Sequence, residues 1–237
     1  MIDCARLQNY AADIGVTLDA AALARMDAYA ERLVQTNEHI NLTAITEPDD
    51  VLVKHFLDSL TVLTVCNPQP GDAWIDVGTG AGFPGAVLLM ANPDLKMTFL
   101  DGTKKKLQFI SDALGSLDLL GEIVHARAEE AGQEPHYREQ FDFVSARAVA
   151  NLRELTEYCL PFLHIGGTFI AMKSVKTDVE LREADGAIRL LGGKIQQTKV
   201  MTLPNGETRT LIVIKKISHT PTKYPRPSAK IAKQPLR

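Results

Sequence analysis

Ten consecutive residues, Asp76-Val77-Gly78-Thr79-Gly80-Ala81-Gly82-Phe83-Pro84-Gly85, hold the most informative chemistry of the chain. They lie between two apolar runs, Ala73-Trp74-Ile75 and Ala86-Val87-Leu88-Leu89-Met90. That order predicts a strand, a glycine-rich turn and a helix. Glycine has no Cβ, so the backbone turns tightly and approaches a ligand closely. Pro84 suits the first helical turn, where its missing N–H is not needed. The N–H groups of such a helix end can hold polar ligand groups. The segment therefore predicts a nucleotide-like cofactor.

Two cofactor patterns overlap on it. Gly80-Ala81-Gly82-Phe83-Pro84-Gly85 satisfies G-x-G-x-x-G, the dinucleotide fingerprint. Asp76 to Gly82 satisfies the D-x-G-x-G-x-G pattern of S-adenosylmethionine (SAM) methyltransferases. Position favours the second. Gly78 is the first glycine after the strand, whereas a dinucleotide site needs its first fingerprint glycine close to the strand end. An acid at Asp76 suits the cationic methionine portion of SAM and repels a pyrophosphate. The candidate loop residues are thus Asp76, Gly78, Thr79, Gly80 and Gly82, with Gly85 a packing or turn residue. Asp101 stands 23 positions after Gly78, at the end of the next predicted strand. A carboxylate there can accept both hydroxyls of a ribose. NAD sites use the same device, so Asp101 supports an adenosine without choosing between cofactors. Its structural alternative is a cap on the helix that contains Lys104 to Lys106.

Other chemistries find little support. The chain has no phosphate-binding G-x-x-x-x-G-K-[ST] and no G-x-S-x-G nucleophile elbow. Its six histidines show no metal-ligand spacing. His55, Asp58 and Ser59 crowd one predicted helix, an arrangement that seldom makes a triad.

The elements around these residues follow from periodicity. Leu18, Ala22, Met26, Tyr29 and Leu33 recur at spacings of three and four, which predicts a helix over 17–34. A second helix is predicted from Pro48 to Val65, with Val51, Val53, Phe56, Leu57, Leu60 and Leu63 as its apolar set. Pro68, Pro70 and Gly71 then break the chain. Strands are predicted at Lys96–Leu100, Glu122–Ala126, Phe141–Ser145 and Thr168–Met172, with helices over 104–114, 150–160 and 179–191. This alternation predicts a parallel sheet covered on both faces. Ile195–Leu203 and Thr208–Lys216 flank Pro204-Asn205-Gly206-Glu207, a strong hairpin signal. The expected organisation is a helical region over 1–65, an α/β domain over 66–217 and a tail over 218–237.

Composition sets the remaining bounds. The 237 residues are 45% hydrophobic and 23% charged, as in ordinary globular proteins. No apolar run reaches the about 18 residues of a membrane span, and the first residues lack a signal-peptide pattern. Three scattered cysteines, Cys4, Cys66 and Cys159, fit free thiols in a reducing cytoplasm. Net charge is −3, but global charge hides local patches. His219 to Arg237 carries Lys223, Arg226, Lys230, Lys233 and Arg237, four prolines and no acid. That composition predicts an extended, poorly ordered tail that either solubilises the chain or meets nucleic acid.

Nearly the whole chain resembles the RsmG (GidB) family, which methylates N7 of a guanine in bacterial 16S ribosomal RNA. The resemblance rests on Asn41-Leu42-Thr43-Ala44-Ile45, Lys54-His55-Phe56-Leu57-Asp58-Ser59-Leu60, the loop from Ile75 to Gly85, and Leu100-Asp101. It continues through Lys105-Lys106-Leu107-Gln108-Phe109, Arg127-Ala128-Glu129-Glu130, Ser145-Ala146-Arg147-Ala148 and Pro221 to Arg226. One departure is Thr36-Asn37, where the family usually has Trp-Asn.

The resemblance implies a Rossmann-like class I SAM-dependent methyltransferase fold: a mostly parallel seven-stranded sheet ending in an antiparallel hairpin, behind an N-terminal helical extension. It implies SAM contacts at Gly78, Phe83, Ala128, Glu129 and Arg147. Phe83 can cover an apolar part of the ligand, and Glu129 is placed to meet adenine. Arg147 ends a strand where open α/β sheets bind ligands; its alternative is a salt bridge to an acid such as Asp142. Guanine N7 carries a lone pair and no proton, so no catalytic acid or base is assigned and no metal is expected. Candidate RNA contacts are Asn41, Lys54, His55, Arg147 and Lys173, with Lys104 to Lys106 and the tail beside them. Asn41 and His55 are equally readable as buried groups that fix the helical region to the sheet. The alternatives left open are an NAD(P)-dependent oxidoreductase and a SAM- or RNA-binding protein without catalysis.

Overall fold

A computed structural model describes residues 2–174 and 177–236. Its centre is one seven-stranded sheet in the order β3-β2-β1-β4-β5-β7-β6. The strands are β1 (Ala73–Val77), β2 (Lys96–Asp101), β3 (Glu122–His125), β4 (Phe141–Arg147), β5 (Leu163–Lys173), β6 (Gly193–Thr202) and β7 (Thr208–Lys216). β1 to β5 pair in parallel, and β7 runs antiparallel to both β5 and β6. The predicted hairpin is present, with Gly206 at a positive φ of 85° that its missing Cβ tolerates.

Three N-terminal helical segments precede the sheet. α1 (Cys4–Asp13) and α2 (Ala20–Asn37) are each capped by an aspartate, Asp3 accepting from Arg6 N–H and Asp19 from Ala22 N–H. The third segment runs over 48–64: α3 (Pro48–Asp50), a π-helical stretch Val51–Leu57, α4 (Asp58–Leu60) and a 3₁₀ turn. Such widened turns recur at functional sites. Here the segment carries His55 and Asp58 inward, both buried.

Alternation along β1 separates two cores. Trp74 faces a cluster that contains the N-terminal helices together with α5 (Gly85–Ala91) and α6 (Lys104–Gly115). Ile75 faces the other, formed with α7 (Ala128–Ala131), α8 (Leu152–Cys159) and α9 (Asp178–Leu190). Residues 2–65 therefore share their core with one face of the sheet. Tyr29 of α2, fully buried, donates to the Ala81 carbonyl at 2.8 Å and so ties that helix directly to the glycine loop.

β5 begins five residues earlier than the pattern predicts. Gly166-Gly167 reads as a breaker, but Gly166 (φ 95°) instead lets the strand bulge: Phe141 pairs with Leu163 and Phe143 with Thr168.

The tail departs most from expectation. It is docked, not extended and loose, and its end forms α10 (Ser228–Lys233). Tyr224 and Ile231 are buried in the second core. Glu157 of α8 is fully buried and accepts from Arg226 Nε at 2.8 Å and Nη2 at 2.7 Å. Arg226 is thus a structural cation, and Arg237 lies outside the described residues. Lys216, also buried, donates to the Leu160 carbonyl (2.7 Å) and to Thr220, beside Glu139 at 3.5 Å; burial pushes its ammonium down to about 8.

Breaking a buried ion pair from one side costs about 3–5 kcal/mol. A chain ending at Ser218 should therefore lose at least about 3 kcal/mol of stability, read as a lower urea midpoint. An unchanged midpoint would show that the docked tail contributes nothing to the fold.

Candidate active site

The glycine loop is built around one carboxylate. Asp76, fully buried at the end of β1, accepts from Thr79 Oγ1 (2.6 Å) and Gly85 N–H (3.0 Å) on one oxygen. Its other oxygen accepts from Ser145 Oγ (2.7 Å), whose oxygen accepts in turn from Trp74 Nε1 (2.9 Å). Burial pushes the carboxyl pKa up, while these three hydrogen bonds favour the charged form. Gly78 and Thr79 N–H bond to the Leu100 carbonyl, and Gly80 N–H bonds to Asp101 Oδ2 at 3.0 Å. A Cβ on Gly85 would sit 2.9 Å from Asp76 and 2.8 Å from Phe99, so Gly85 is a packing glycine as expected.

Beside the loop, at the carboxyl ends of β1, β2 and β3, lies a cleft of about 250 Å³. Open α/β sheets bind ligands at such ends. Gly78, Asp101, Ala128 and Glu129 line it, with Val77, Leu100, Ala126 and Tyr158 as apolar walls. Asp101 accepts one N–H on each oxygen, from Gly80 and from Thr103 (2.7 Å). A carboxylate offers about four acceptor sites, so lone pairs remain for a vicinal diol. Glu129 is nearly buried, with Arg127 Nε at 3.7 Å.

A second cavity of about 500 Å³ opens where the N-terminal helices meet β4, β5 and the hairpin. Lys54, His55, Arg147 and Lys173 all line it, with Asp58 and Arg209. Asp58 is buried between two guanidinium groups: Arg147 Nη1 at 3.0 Å and Arg209 Nε at 2.9 Å. Arg147 also donates to the Lys54 carbonyl (2.8 Å) and lies 3.2 Å from His55 Nδ1. An arginine can only donate, so His55 Nδ1 is the acceptor and its proton sits on Nε2, toward Thr43 Oγ1 at 2.9 Å. Burial and the nearby Arg147 charge push His55 down to about 3. Phe83 stacks on the His55 ring at 4.3 Å and lies under the Arg147 guanidinium at 5.3 Å.

Residues 22–211 match the family described as rRNA small subunit methyltransferase G. The chain belongs to that family. It is 47% identical over 225 residues to the ribosomal RNA small subunit methyltransferase G of Leuconostoc mesenteroides, covering 94% of each chain. It is 44% identical over 235 residues to that of Alkaliphilus metalliredigens, covering 98% of each. Among solved structures it resembles TrmN from Thermus thermophilus (TM-score 0.53, 18% identity, 70% of this chain and 53% of that one). It also resembles a SAM-dependent O-methyltransferase from Thermotoga maritima (TM-score 0.53, 17% identity, 80% of this chain and 72% of that one). These two likenesses show the Rossmann-like methyltransferase fold. The sequence match to the methyltransferase G relatives of Leuconostoc and Alkaliphilus runs over nearly the whole chain.

Of the residues singled out for the family's cofactor, the structure brings Gly78, Asp101, Ala128 and Glu129 to one cleft. Asp76 and Thr79 are turned inward instead: their side chains bond to each other and build the loop. The helix-end N–H of Gly85 is likewise held by Asp76, so it is not free for a ligand. Gly80 and Gly82 shape the turn at positive φ, and a Cβ on Gly82 would meet the Tyr29 hydroxyl at 2.3 Å. Phe83 is buried at the junction with the second cavity. The acid partner of Arg147 is Asp58; Asp142 lies near the opposite end of β4, out of reach, and is engaged by His164 at 2.9 Å. Asn41 is exposed, whereas His55 is buried and does join the helical region to β4. Lys104 and Lys105 form an exposed face of α6.

Sequence reasoning weighs Asp58 only as a triad member and sets it aside, and it passes over Thr43, Arg209 and Tyr158 as site residues. Asp58 and Thr43 stand inside the quoted motifs, where their types carried a signal. Arg209 and Tyr158 enter only through strand register and helix packing. Asn37, in the departing Thr36-Asn37 pair, accepts from Leu42 and Thr43 N–H (2.8 and 3.0 Å) and so shapes the loop that holds Thr43.

A histidine with a depressed folded pKa contributes stability that is present above its ordinary 6.5 and lost as pH falls toward 3. Urea titrations at pH 7.5 and pH 5 should show a steeper loss for the native chain than for His55→Gln, by up to about 1.4 kcal/mol per pH unit. Parallel losses would mean that His55 titrates normally.

Proposed function

We propose that this chain transfers a methyl group from S-adenosylmethionine to N7 of a guanine in 16S (small-subunit) ribosomal RNA. The observation that carries the proposal is the wall shared by the two cavities. Val149 and Ala150 line the cleft, while Arg147 and Ala148, the residues just before them, line the second cavity. A donor held in one and a base held in the other would meet across this segment.

The residues of the cleft fit SAM. Asp101 retains acceptor sites for ribose hydroxyls, Glu129 supplies a carboxylate for an amino edge, and Tyr158 gives an apolar wall. A Cβ at Gly78 would project to 2.7 Å from Val149 and narrow the cleft that Gly78 lines. SAM, when bound, supplies an activated methyl group on a sulfonium. The overlapping dinucleotide pattern fits less well, since the Gly85 N–H that would face a pyrophosphate is held by the Asp76 carboxylate.

No proton need leave N7, which is an in-plane lone pair. His55 matches that requirement: its one lone pair is taken by Arg147, so it offers no base. Rate enhancement then rests on placement, which contributes about 7–11 kcal/mol in favourable cases. A guanine presented from a loop or splayed out of its stack meets the second cavity most readily. Lys54, Arg147, Lys173 and Arg209 supply its positive charge, with Asn41 on the neighbouring exposed loop. Lys54 is paired with Asp50 (3.0 Å) and Lys173 with Glu180 (2.9 Å), so phosphate would compete with surface carboxylates. This placement in RNA modification implies a cytoplasmic enzyme acting on the small subunit or its assembly intermediates.

Labelled SAM incubated with small subunits lacking the modification should deliver label that nucleoside analysis recovers as N7-methylguanosine. Label in another nucleoside, or calorimetric binding of NADH without binding of S-adenosylhomocysteine, would overturn the proposal. Single-turnover rates should stay flat between pH 6.5 and 8.5 once RNA is saturating; a steep rise across this range would require a base. Lys54→Ala and Lys173→Ala should each lower the salt slope of RNA affinity by about one phosphate contact. Unchanged slopes would remove these lysines from the RNA surface.

A further inference from the structure

The docked tail reaches the back of the cofactor cleft. α7, which supplies Ala128 and Glu129, is only four residues long, too short to hold itself. The tail supports it from behind. Pro225 packs on Gly132, where a Cβ would come within 3.0 Å of the ring, and Gln133 Nε2 donates to the Pro225 carbonyl at 2.8 Å. The Arg138 guanidinium joins the Gly132 carbonyl (2.9 Å) to the Tyr224 and Thr220 carbonyls (2.8 Å each). On α8, Glu157 receives three donors from Arg226, its N–H, Nε and Nη2. The adjacent Tyr158 lines the cleft, as does Glu154 one turn earlier. Glu129 lies between the two systems: it lines the cleft on one side and, on the other, a groove walled by Lys223, Pro225, Pro227 and Ser228.

We propose that Arg226 is a positioning residue for the cofactor: through Glu157 and the docked tail it fixes α7 and α8, and with them Glu129 and Tyr158, in the geometry that binds the adenosine end. This rests on the reading of the cleft as the SAM site. Arg226 itself touches no cleft surface; it acts through two helices that do. A guanidinium is suited to the task because its planar fork meets both carboxylate oxygens at once. The basic tail thereby acquires a role separate from RNA contact. The exposed Lys230 and Lys233 line neither the cleft nor this groove.

The test is calorimetry with S-adenosylhomocysteine on the full-length chain, well below its melting temperature, together with steady-state kinetics. Arg226→Gln should raise the Kd for S-adenosylhomocysteine and the KM for SAM about tenfold, a loss of about 1.4 kcal/mol. kcat at saturating SAM should stay near the native value. Arg226→Lys should recover part of the affinity. Gln133→Ala, which leaves the buried ion pair intact, should raise Kd in the same direction by a smaller factor. A folded Arg226→Gln with a lowered melting temperature and native affinity would overturn the proposal, leaving the tail a stabiliser only.

Should Arg226→Gln not fold, the native chain decides. Coupling between two sites is reciprocal, so saturating S-adenosylhomocysteine should slow tryptic cleavage after Lys223 and Lys230 more than after Arg32 of α2. Equal slowing at all three would overturn the proposal. A native chain that binds no S-adenosylhomocysteine would overturn the cofactor reading and this proposal together, whereas native binding with insensitive variants removes this one alone.

Discussion

The buried carboxylate of Asp76 is the constraint from which the rest of the site follows. Removing a charge from water is costly unless hydrogen bonds replace the solvent. Here they come from Thr79, Gly85 and Ser145, that is, from the loop, from the start of α5 and from β4. One side chain thus fixes the relative position of β1, β4 and the first turn of the next helix. The loop cannot relax without leaving a hydroxyl or an N–H unpaired, at about 1–3 kcal/mol for each group. Its path in turn sets where Gly78 borders the cleft and where Phe83 meets His55.

A second carboxylate does comparable work between the N-terminal helices and the sheet. Asp58 is nearly inaccessible and carries two arginines. Arg209 continues to Glu207 at 2.7 Å, and Glu207 to Lys54 at 3.4 Å. Charges placed this close in a partly buried cavity hold one another in defined positions. The cavity is therefore positively lined yet locally paired. A ligand entering this cavity would meet side chains already fixed in place, which reduces the ordering cost of binding. Clustering of Lys54, Arg147, Lys173 and Arg209 around two carboxylates leaves this cavity locally positive although the chain carries a net charge of −3.

Much of the architecture was legible in the residues. Period and punctuation gave α2, the alternating strands and the Asn-Gly hairpin, because each has an apolar face or a turn chemistry of its own. The glycine loop was legible for the same reason, down to Gly85 as a packing residue. What escaped depends on contacts distant in sequence. An acid at the strand end suggests a ligand contact at Asp76, and nothing local reveals that Ser145 lies 2.7 Å away. Asp142 stood close to Arg147 in sequence, yet the π-helical stretch brings Asp58 to it instead. The prolines and cations of the tail match those of disordered segments. Only the tertiary structure shows Glu157 waiting for Arg226 and an apolar core open to Tyr224 and Ile231. The family resemblance carried residues that periodicity alone could not, and the full-length match supports it.

If Asp76 organises the cleft from within and does not touch the ligand, removing it should separate folding from binding. The most direct measurement is titration of Asp76→Ala with S-adenosylhomocysteine at low temperature, with circular dichroism confirming the sheet. The substitution leaves three buried donors without their acceptor, at about 1–3 kcal/mol each, and should give a folded but less stable chain. Its affinity should fall by about tenfold or more. A folded Asp76→Ala that binds as tightly as the native chain would contradict the claim that this carboxylate sets the site.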